Sequence, residues 1–490
     1  MKLHQLCSNI EYTLLQGSLE TDITDIIYDS RKAQPSTMFV CMVGAASDGH
    51  TYISDVIAKG VTTIVVEKDT AYDIPSDCTV IKVPSTRYAL AMMSAAFFDY
   101  PAKELVTIGL TGTKGKTTTT YMIKSVLEEA GKKVGLIGTI GALIGEEHLP
   151  AKNTTPESYE LHKMFRAMAD ADCDYVVMEV SSQGLKMDRV AGITFDFCIF
   201  TNLSPDHIGP TEHATFEEYM ECKSLLFRRC KTGIINIDDE HAKGIMKNHT
   251  CEIKTLSCSK DADLMAGAIG YLDEDGKIGM HFATTGCVNL YATVHIPGSF
   301  SVYNSLVTML TCHLAGISDE AILRGLDKVQ VKGRVELVPV SKDFTVIIDY
   351  AHNEVSTRSV LTTLKEYKPK RLICVYGGGG NRSKLRRYDM GEVTGEMADL
   401  SVLTCDNPRD EEIADINNDI KIGLAKSNGR YIEIEDRKEA IKYCIQNACK
   451  GDMIVLLGKG HEDYQEIKGV KYHFDEREAI AEIKEELHLV

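Results

Sequence analysis

The chain has 490 residues, too many for one hydrophobic core, since cores stop growing at about 250–300 residues; two or three domains are expected. Its 44% hydrophobic and 26% charged residues exclude a disordered or fibrous chain. A net charge of −17 argues against a general nucleic-acid binder, because phosphate backbones select for surplus Lys and Arg, yet it leaves room for anionic ligands at local positive sites.

The opening MKLHQLCSNIEYTLLQG lacks the basic-then-apolar pattern of a signal peptide. No apolar run approaches the roughly 18–20 residues needed to span a bilayer, so a soluble cytoplasmic protein without membrane insertion is expected. Short β-branched runs at 38–43, 62–67 and 79–83 predict a small α/β domain that ends near Tyr100-Pro101. A strand at 105–110, a glycine-rich turn and a helix follow, the helix carrying Met122, Ile123, Val126, Leu127 and Ala130 on one face and stopping at Gly131. Apolar strands at 133–137, 175–180, 195–201 and 233–237, with helical stretches between several of them, predict a doubly wound, mostly parallel sheet.

A third block begins near Gly333-Arg334, with strands at 345–349, 371–376, 400–404 and 453–457. Each runs into a polar segment, DYAHN, GGGGNR, CDNPR or GKGHEDYQ, and ligands of open parallel sheets bind beyond the carboxyl ends of strands. These four segments should converge on one crevice. The expected class is therefore α/β in three domains: a small α/β domain at 1–103, a central doubly wound parallel-sheet domain with a glycine-rich (P-loop) turn at 104–332 and a Rossmann-like domain at 333–490. The fifteen cysteines are scattered and form no C-x-x-C pair, so buried free thiols are expected rather than a zinc site.

Gly112-Thr113-Lys114-Gly115-Lys116-Thr117 sits between a strand and a helix, where a phosphate cradle belongs. Glycines admit the phosphates to backbone N–H groups, Lys116 meets the terminal phosphates, and the Thr117 hydroxyl suits Mg²⁺. Leu110 replaces the first glycine of the strict Walker pattern. Glu179 at one strand end and Asp206-His207 beyond another could complete a Mg²⁺ site.

Twelve motifs in order carry a resemblance: DSR (29–31), DGHTY (48–52), GTKGKTT (112–118), NTTPE (153–157), MEVSS (178–182), TNLSPDH (201–207), YMECKSLLF (219–227), PGSFSVYN (297–304), DYAH (349–352), GGGGNR (377–382), DNPR (406–409) and GKGHEDYQ (458–465). Along its whole length the chain resembles the Mur ligases, and most of all those that add a diamino acid to UDP-N-acetylmuramoyl-L-alanyl-D-glutamate.

The resemblance implies ATP as co-substrate, Mg²⁺ as cofactor, the UDP-muramoyl dipeptide and a diamino acid as the other substrates, and a monomer. It assigns Gly112, Thr113, Lys114, Gly115, Lys116, Thr117, Thr118, Asn304, Arg334, Asp349 and His352 to ATP. Ser30, Thr154, Thr155, Ser181 and Arg189 would bind the UDP-muramoyl dipeptide. Lys223 would be carbamylated and, with Thr117, Glu179 and His207, hold metal, making Lys116, Lys223, Glu179 and His207 the catalytic group.

Arg387, Asp406, Asn407, Pro408, Arg409, Gly458 and Glu462 would bind the amino acid. Arg409 in D-N-P-R favours meso-diaminopimelate over the alternative, L-lysine, because a guanidinium can grip the second carboxylate through two parallel bonds. Two departures stand out: Gln183 follows MEVSS where histidine is usual, and His213 is displaced by two residues in DHIGPTEH. The competing readings are a nucleotide-gated binding protein, which has no need of Lys223 or GKGHE, and a folylpolyglutamate-type ligase, against which DNPR and GKGHE argue.

Overall fold

A computed structural model describes all residues except 45–46, 70–73, 146, 150–152, 210–211, 275–276 and 490. Pro210 and Thr211 of the DHIGPTEH segment thus lie outside the described residues. Cα packing divides the chain into two compact units, 1–263 with 310–317, and 264–309 with 318–490.

The first unit holds two sheets. Strands Thr13–Gln16, Thr79–Lys82, Thr63–Val66, Thr37–Val40 and Asp25–Ile27 form the N-terminal sheet in that order, parallel except for the first. The second is a parallel run in the order Glu252–Ser257, Cys230–Asn236, Phe195–Phe200, Val106–Thr111, Tyr175–Glu179 and Val134–Gly138, extended by the antiparallel strands Gly141–Ile144 and Glu147–Leu149. Its central strands are near-continuous apolar runs because helices cover both faces.

The two sheets share a unit for a visible reason. Tyr28 Oη donates to Glu160 at 2.7 Å and Tyr159 Oη to Asp25 at 2.6 Å, so the N-terminal sheet and the helix Ser158–Asp170 exchange a tyrosine for a carboxylate in each direction. The helix Thr86–Phe97 packs beside it, its Ser85 cap accepting from the Tyr88 N–H.

The second unit contains the antiparallel strands Leu264–Glu274, Lys277–Gly286 and Tyr291–Val294, and a six-stranded sheet. That sheet runs Glu336–Val338, Thr345–Asp349, Met453–Leu457, Leu372–Tyr376, Leu400–Leu403 and Tyr431–Glu433, parallel apart from the first strand. The fold class expected from sequence is the one found. All fifteen cysteines are free and most are buried, and among the described residues no helix is long and apolar enough to cross a membrane.

Candidate active site

In the first unit the strand Val106–Thr111 delivers its chain into the glycine loop, and Gly112 and Gly115 take φ of 153° and 85°. A Cβ on Gly112 would lie 2.0 Å from Thr201 Oγ1, so the loop closes this tightly only with glycine there. Gly115 caps the helix Lys116–Glu129, whose N-terminus therefore opens onto the loop. Asn202 fastens the loop from the side: its Oδ1 accepts from Lys114 N at 2.9 Å and its Nδ2 donates to Lys114 O at 3.0 Å. Lys116 Nζ donates to the carbonyls of Gly112 and Thr113.

Glu179, buried at the end of its strand, gathers hydroxyls around its carboxylate. Thr117 Oγ1 and Thr139 N donate to Oε1, each at 2.9 Å, and Thr139 Oγ1 to Oε2 at 3.2 Å. This cluster of oxygen donors is what a hard divalent ion such as Mg²⁺ prefers, so Thr117 and Glu179 fit such an ion.

Lys223 is buried on the helix Phe216–Ser224, with Nζ 2.9 Å from Gly112 O and 4.5 Å above the Tyr219 ring. Burial, with the charge of Lys116 adding to it, pushes its ammonium well below the usual lysine range. That shift favours the neutral amine, the form that reacts with CO₂. His207 is not drawn into this group: it is half exposed, at φ 55°, and its Nδ1 faces Glu212 at 3.0 Å.

The expected dipeptide residues divide. Thr155 Oγ1 donates to Glu179 O and accepts from Ser181 N, and Ser181 Oγ caps the helix Ser182–Lys186 by accepting from Gly184 N. Arg189 donates to Thr155 O and pairs with Glu157 at 2.6 Å. Thr155 thus ties the end of the Glu179 strand to Ser181. Thr154 lies 3.1 Å from Thr139 Oγ1. Ser30 belongs to the short helical turn Ser30–Lys32, with its carbonyl bound by Lys59. Displaced His213 turns back to the second serine, Nε2 lying 2.9 Å from Ser182 Oγ, while Gln183 Nε2 is buried without a partner among the described residues.

In the second unit all four strand-end segments converge on one cavity of about 320 Å³. Tyr350 and His352 come from the first, Gly377 to Gly379 and Arg382 from the second, Asp406, Asn407 and Arg409 from the third, and Gly458, Glu462 and Tyr464 from the fourth. Asn407 Nδ2 donates to Glu462 at 2.8 Å, and the buried Lys459 ammonium lies 3.3–3.5 Å from Asn407, Glu462 and Asp406. Arg409, at φ 52°, donates through Nε to Glu466 and through Nη1 to Gly380 O.

Arg387 also lines the cavity, its Nη atoms donating to Glu411 at 2.7 and 2.8 Å, Asp419 at 2.9 Å and Gly379 O at 3.0 Å. Its buried Nε has no partner among the described residues, and the Nη bonds tie it to the glycine loop. Sequence reasoning missed Arg382 and Arg386, which line the same cavity. Arg382 closes the quoted GGGGNR motif, a signal that could have found it.

Asp349 accepts from Val335 N and Ala351 N, and Arg334 lies over the Tyr350 ring at 5.4 Å. His352 Nδ1 faces Tyr350 O, and Asn304 is buried with Nδ2 lacking a partner among the described residues.

Comparison with known proteins decides the family. The chain matches the Mur ligase family catalytic domain over residues 22–98, the Mur ligase middle domain over 110–312 and the Mur ligase glutamate ligase domain over 333–460. The chain belongs to the Mur ligase family. As a Mur ligase it is an ATP-dependent, amide-bond-forming enzyme.

Among its relatives is a Clostridium tetani protein, 44% identical with all of both chains covered, named UDP-N-acetylmuramoyl-L-alanyl-D-glutamate--2,6-diaminopimelate ligase. A Clostridium perfringens protein of the same name is 42% identical, with 99% of this chain and 100% of that one covered. A solved structure titled for the same ligase superposes with TM-score 0.74 at 26% identity over 100% of both chains. This Mur ligase also shares its fold with folylpolyglutamate synthase from Thermotoga maritima, at 18% identity, TM-score 0.60, and coverage of 76% and 90%.

Proposed function

We propose that this Mur ligase joins meso-diaminopimelate to the D-glutamyl side-chain carboxylate of UDP-N-acetylmuramoyl-L-alanyl-D-glutamate, a step of peptidoglycan precursor synthesis in the cytoplasm. The observation that carries the choice of amine is the cavity where Arg382, Arg386 and Arg409 stand with Asp406 and Glu462. A ligand with two carboxylates and two ammonium groups matches such mixed walls, and L-lysine lacks one of the carboxylates.

The reaction begins with transfer of the ATP γ-phosphoryl group to the D-glutamyl carboxylate, giving an acyl phosphate. The amine attacks that carbonyl carbon, loses a proton, and the tetrahedral intermediate collapses with release of phosphate, leaving the amide. Loop N–H groups at Gly112 to Thr118 and the helix N-terminus offset phosphate charge, with Lys116 adding its ammonium. Asn304, Arg334, Asp349 and His352 are assigned to the nucleotide.

Mg²⁺, held by Thr117, Glu179, carbamylated Lys223 and His207, would neutralise the charge that gathers during phosphoryl transfer. Carbamylation would balance simply: the neutral Lys223 amine adds to the carbon of CO₂ and releases one proton, turning a neutral amine into an anionic oxygen ligand. Ser30, Thr154, Ser181 and Arg189 are assigned to the UDP-muramoyl dipeptide, with Thr155 fixing the strand end beneath it. On this reading residues 1–103 bind the uridine end, 104–332 bind ATP and 333–490 bind the amino acid, in a monomer.

The test is an amino-acid panel with UDP-muramoyl dipeptide and ATP, read by phosphate release and product mass. Product with diaminopimelate alone, or far faster than with any other amine, is expected. Phosphate release without any amide product would favour a nucleotide-gated binding protein.

A further inference from the structure

Away from the residues assigned above, His213, Glu218 and Cys222 each bring one potential ligand atom to a common point, and the three atoms lie within 4.8 Å of one another. Glu218 and Cys222 stand one turn apart on the helix Phe216–Ser224, so they share a face. His213 sits just before the Thr215 cap that starts this helix. The His213 ring is fully buried, and its Nδ1 has no hydrogen-bond partner among the described residues. A buried ring nitrogen in that condition has lost water without gaining a protein partner. Cys222 is buried as well.

We propose that His213, Glu218 and Cys222 form a binding site for a transition-metal dication of the zinc class, chemically separate from the oxygen site at Thr117 and Glu179. Sulfur, nitrogen and a single carboxylate are donors that zinc and cobalt accept and that magnesium does not favour. Three protein ligands leave a fourth position for water. Zinc bonds of about 2.0–2.3 Å place ligand atoms roughly 3.5 Å apart, so the widest pair closes by about 1 Å, within reach of side-chain rotation.

The present cation at Glu218 is Lys186, paired with Oε1 at 2.6 Å. With 34% of its side chain exposed, Lys186 can withdraw into water as the metal enters. Glu218 Oε2 keeps the Ala214 N–H at 2.7 Å, which orients the carboxylate. Binding converts the Cys222 thiol to a metal thiolate and sends its proton to solvent, one proton for each ion bound.

The experiment titrates Co²⁺ into the full-length, metal-stripped chain in millimolar Mg²⁺. The expected result is one equivalent bound, with thiolate-to-cobalt charge-transfer absorption that Zn²⁺ abolishes by displacement. Cys222→Ser should remove the band and weaken binding by at least about tenfold, whereas Cys230→Ser should keep both. A second readout needs no variant: bound Zn²⁺ should protect Cys222 from alkylation, mapped by mass spectrometry. A wild-type titration without the thiolate band, a band that survives Cys222→Ser, or unprotected Cys222 would overturn the proposal.

Discussion

Gly138→Ala puts the placement of the Glu179 carboxylate to a quantitative test. Gly138 ends the strand Val134–Gly138, and a Cβ built there lies 2.4 Å from Glu179 Oε1 and 3.0 Å from its Cδ. Gly138 is not among the residues of positive φ, so alanine costs nothing in backbone strain. The whole effect falls on the carboxylate, which must retreat by about 1 Å to reach ordinary contact. That retreat pulls it away from Thr117 Oγ1 and Thr139 N, each now at 2.9 Å. A misplacement of about 1 Å in a reacting constellation costs up to about 100-fold in rate, while overpacking of this kind costs about 1–3 kcal/mol of stability. Steady-state phosphate release and thermal unfolding, measured side by side, separate the two. A kcat within about threefold of wild type would show that the carboxylate does not need this position, and the reading of Glu179 as a catalytic group would fail.

Lys223→Ala should be nearly inactive yet regain part of its rate with short carboxylic acids, and ¹³C-labelled CO₂ should give a carbamate signal in wild type only; wild-type activity in the variant would remove the idea. Arg387→Met leaves Glu411 and Asp419 facing each other, and because Glu411 is partly exposed the expected loss is about 2–4 kcal/mol, read as a lower urea midpoint. An unchanged midpoint would refute the loop-holding role. The same pair makes stability pH-dependent: hydrogen bonding from Arg387 draws the Glu411 carboxyl from 4.5 down to about 2, so folded protein binds fewer protons than unfolded in that window. Its contribution is complete above 4.5 and is lost as pH falls toward 2, and Arg387→Met should flatten the stability profile there.

The parallel strands were legible because burial on both faces writes them as continuous apolar runs; the strands expected at 345–349 and 453–457 are found as Thr345–Asp349 and Met453–Leu457. The antiparallel strands at 264–294 were not, since they alternate polar and apolar residues around glycines and carry mostly exposed side chains at their tips. At the site, the glycine loop could be read from local spacing, and the convergence of four strand-end segments from topology. What could not be read is which side chains are already paired. Arg387 looks like a free guanidinium in sequence, yet its partners Glu411 and Asp419 are 24 and 32 residues away. His207 turns aside toward Glu212, five residues on, through a backbone angle that sequence does not announce.

The choice of amine is the central claim, and it is tested by kcat/KM for meso-diaminopimelate and for L-lysine in wild type and in Arg409→Ala. Arg409 spends Nε on Glu466 and Nη1 on Gly380 O, which fixes the guanidinium against the cavity wall. Sites built around a polar group reject analogues lacking it by as much as about 10⁴-fold. Wild type should therefore prefer diaminopimelate by a wide margin, and Arg409→Ala should lose most of that preference by slowing diaminopimelate far more than lysine. A wild type that prefers lysine, or a preference that survives Arg409→Ala intact, would contradict the account.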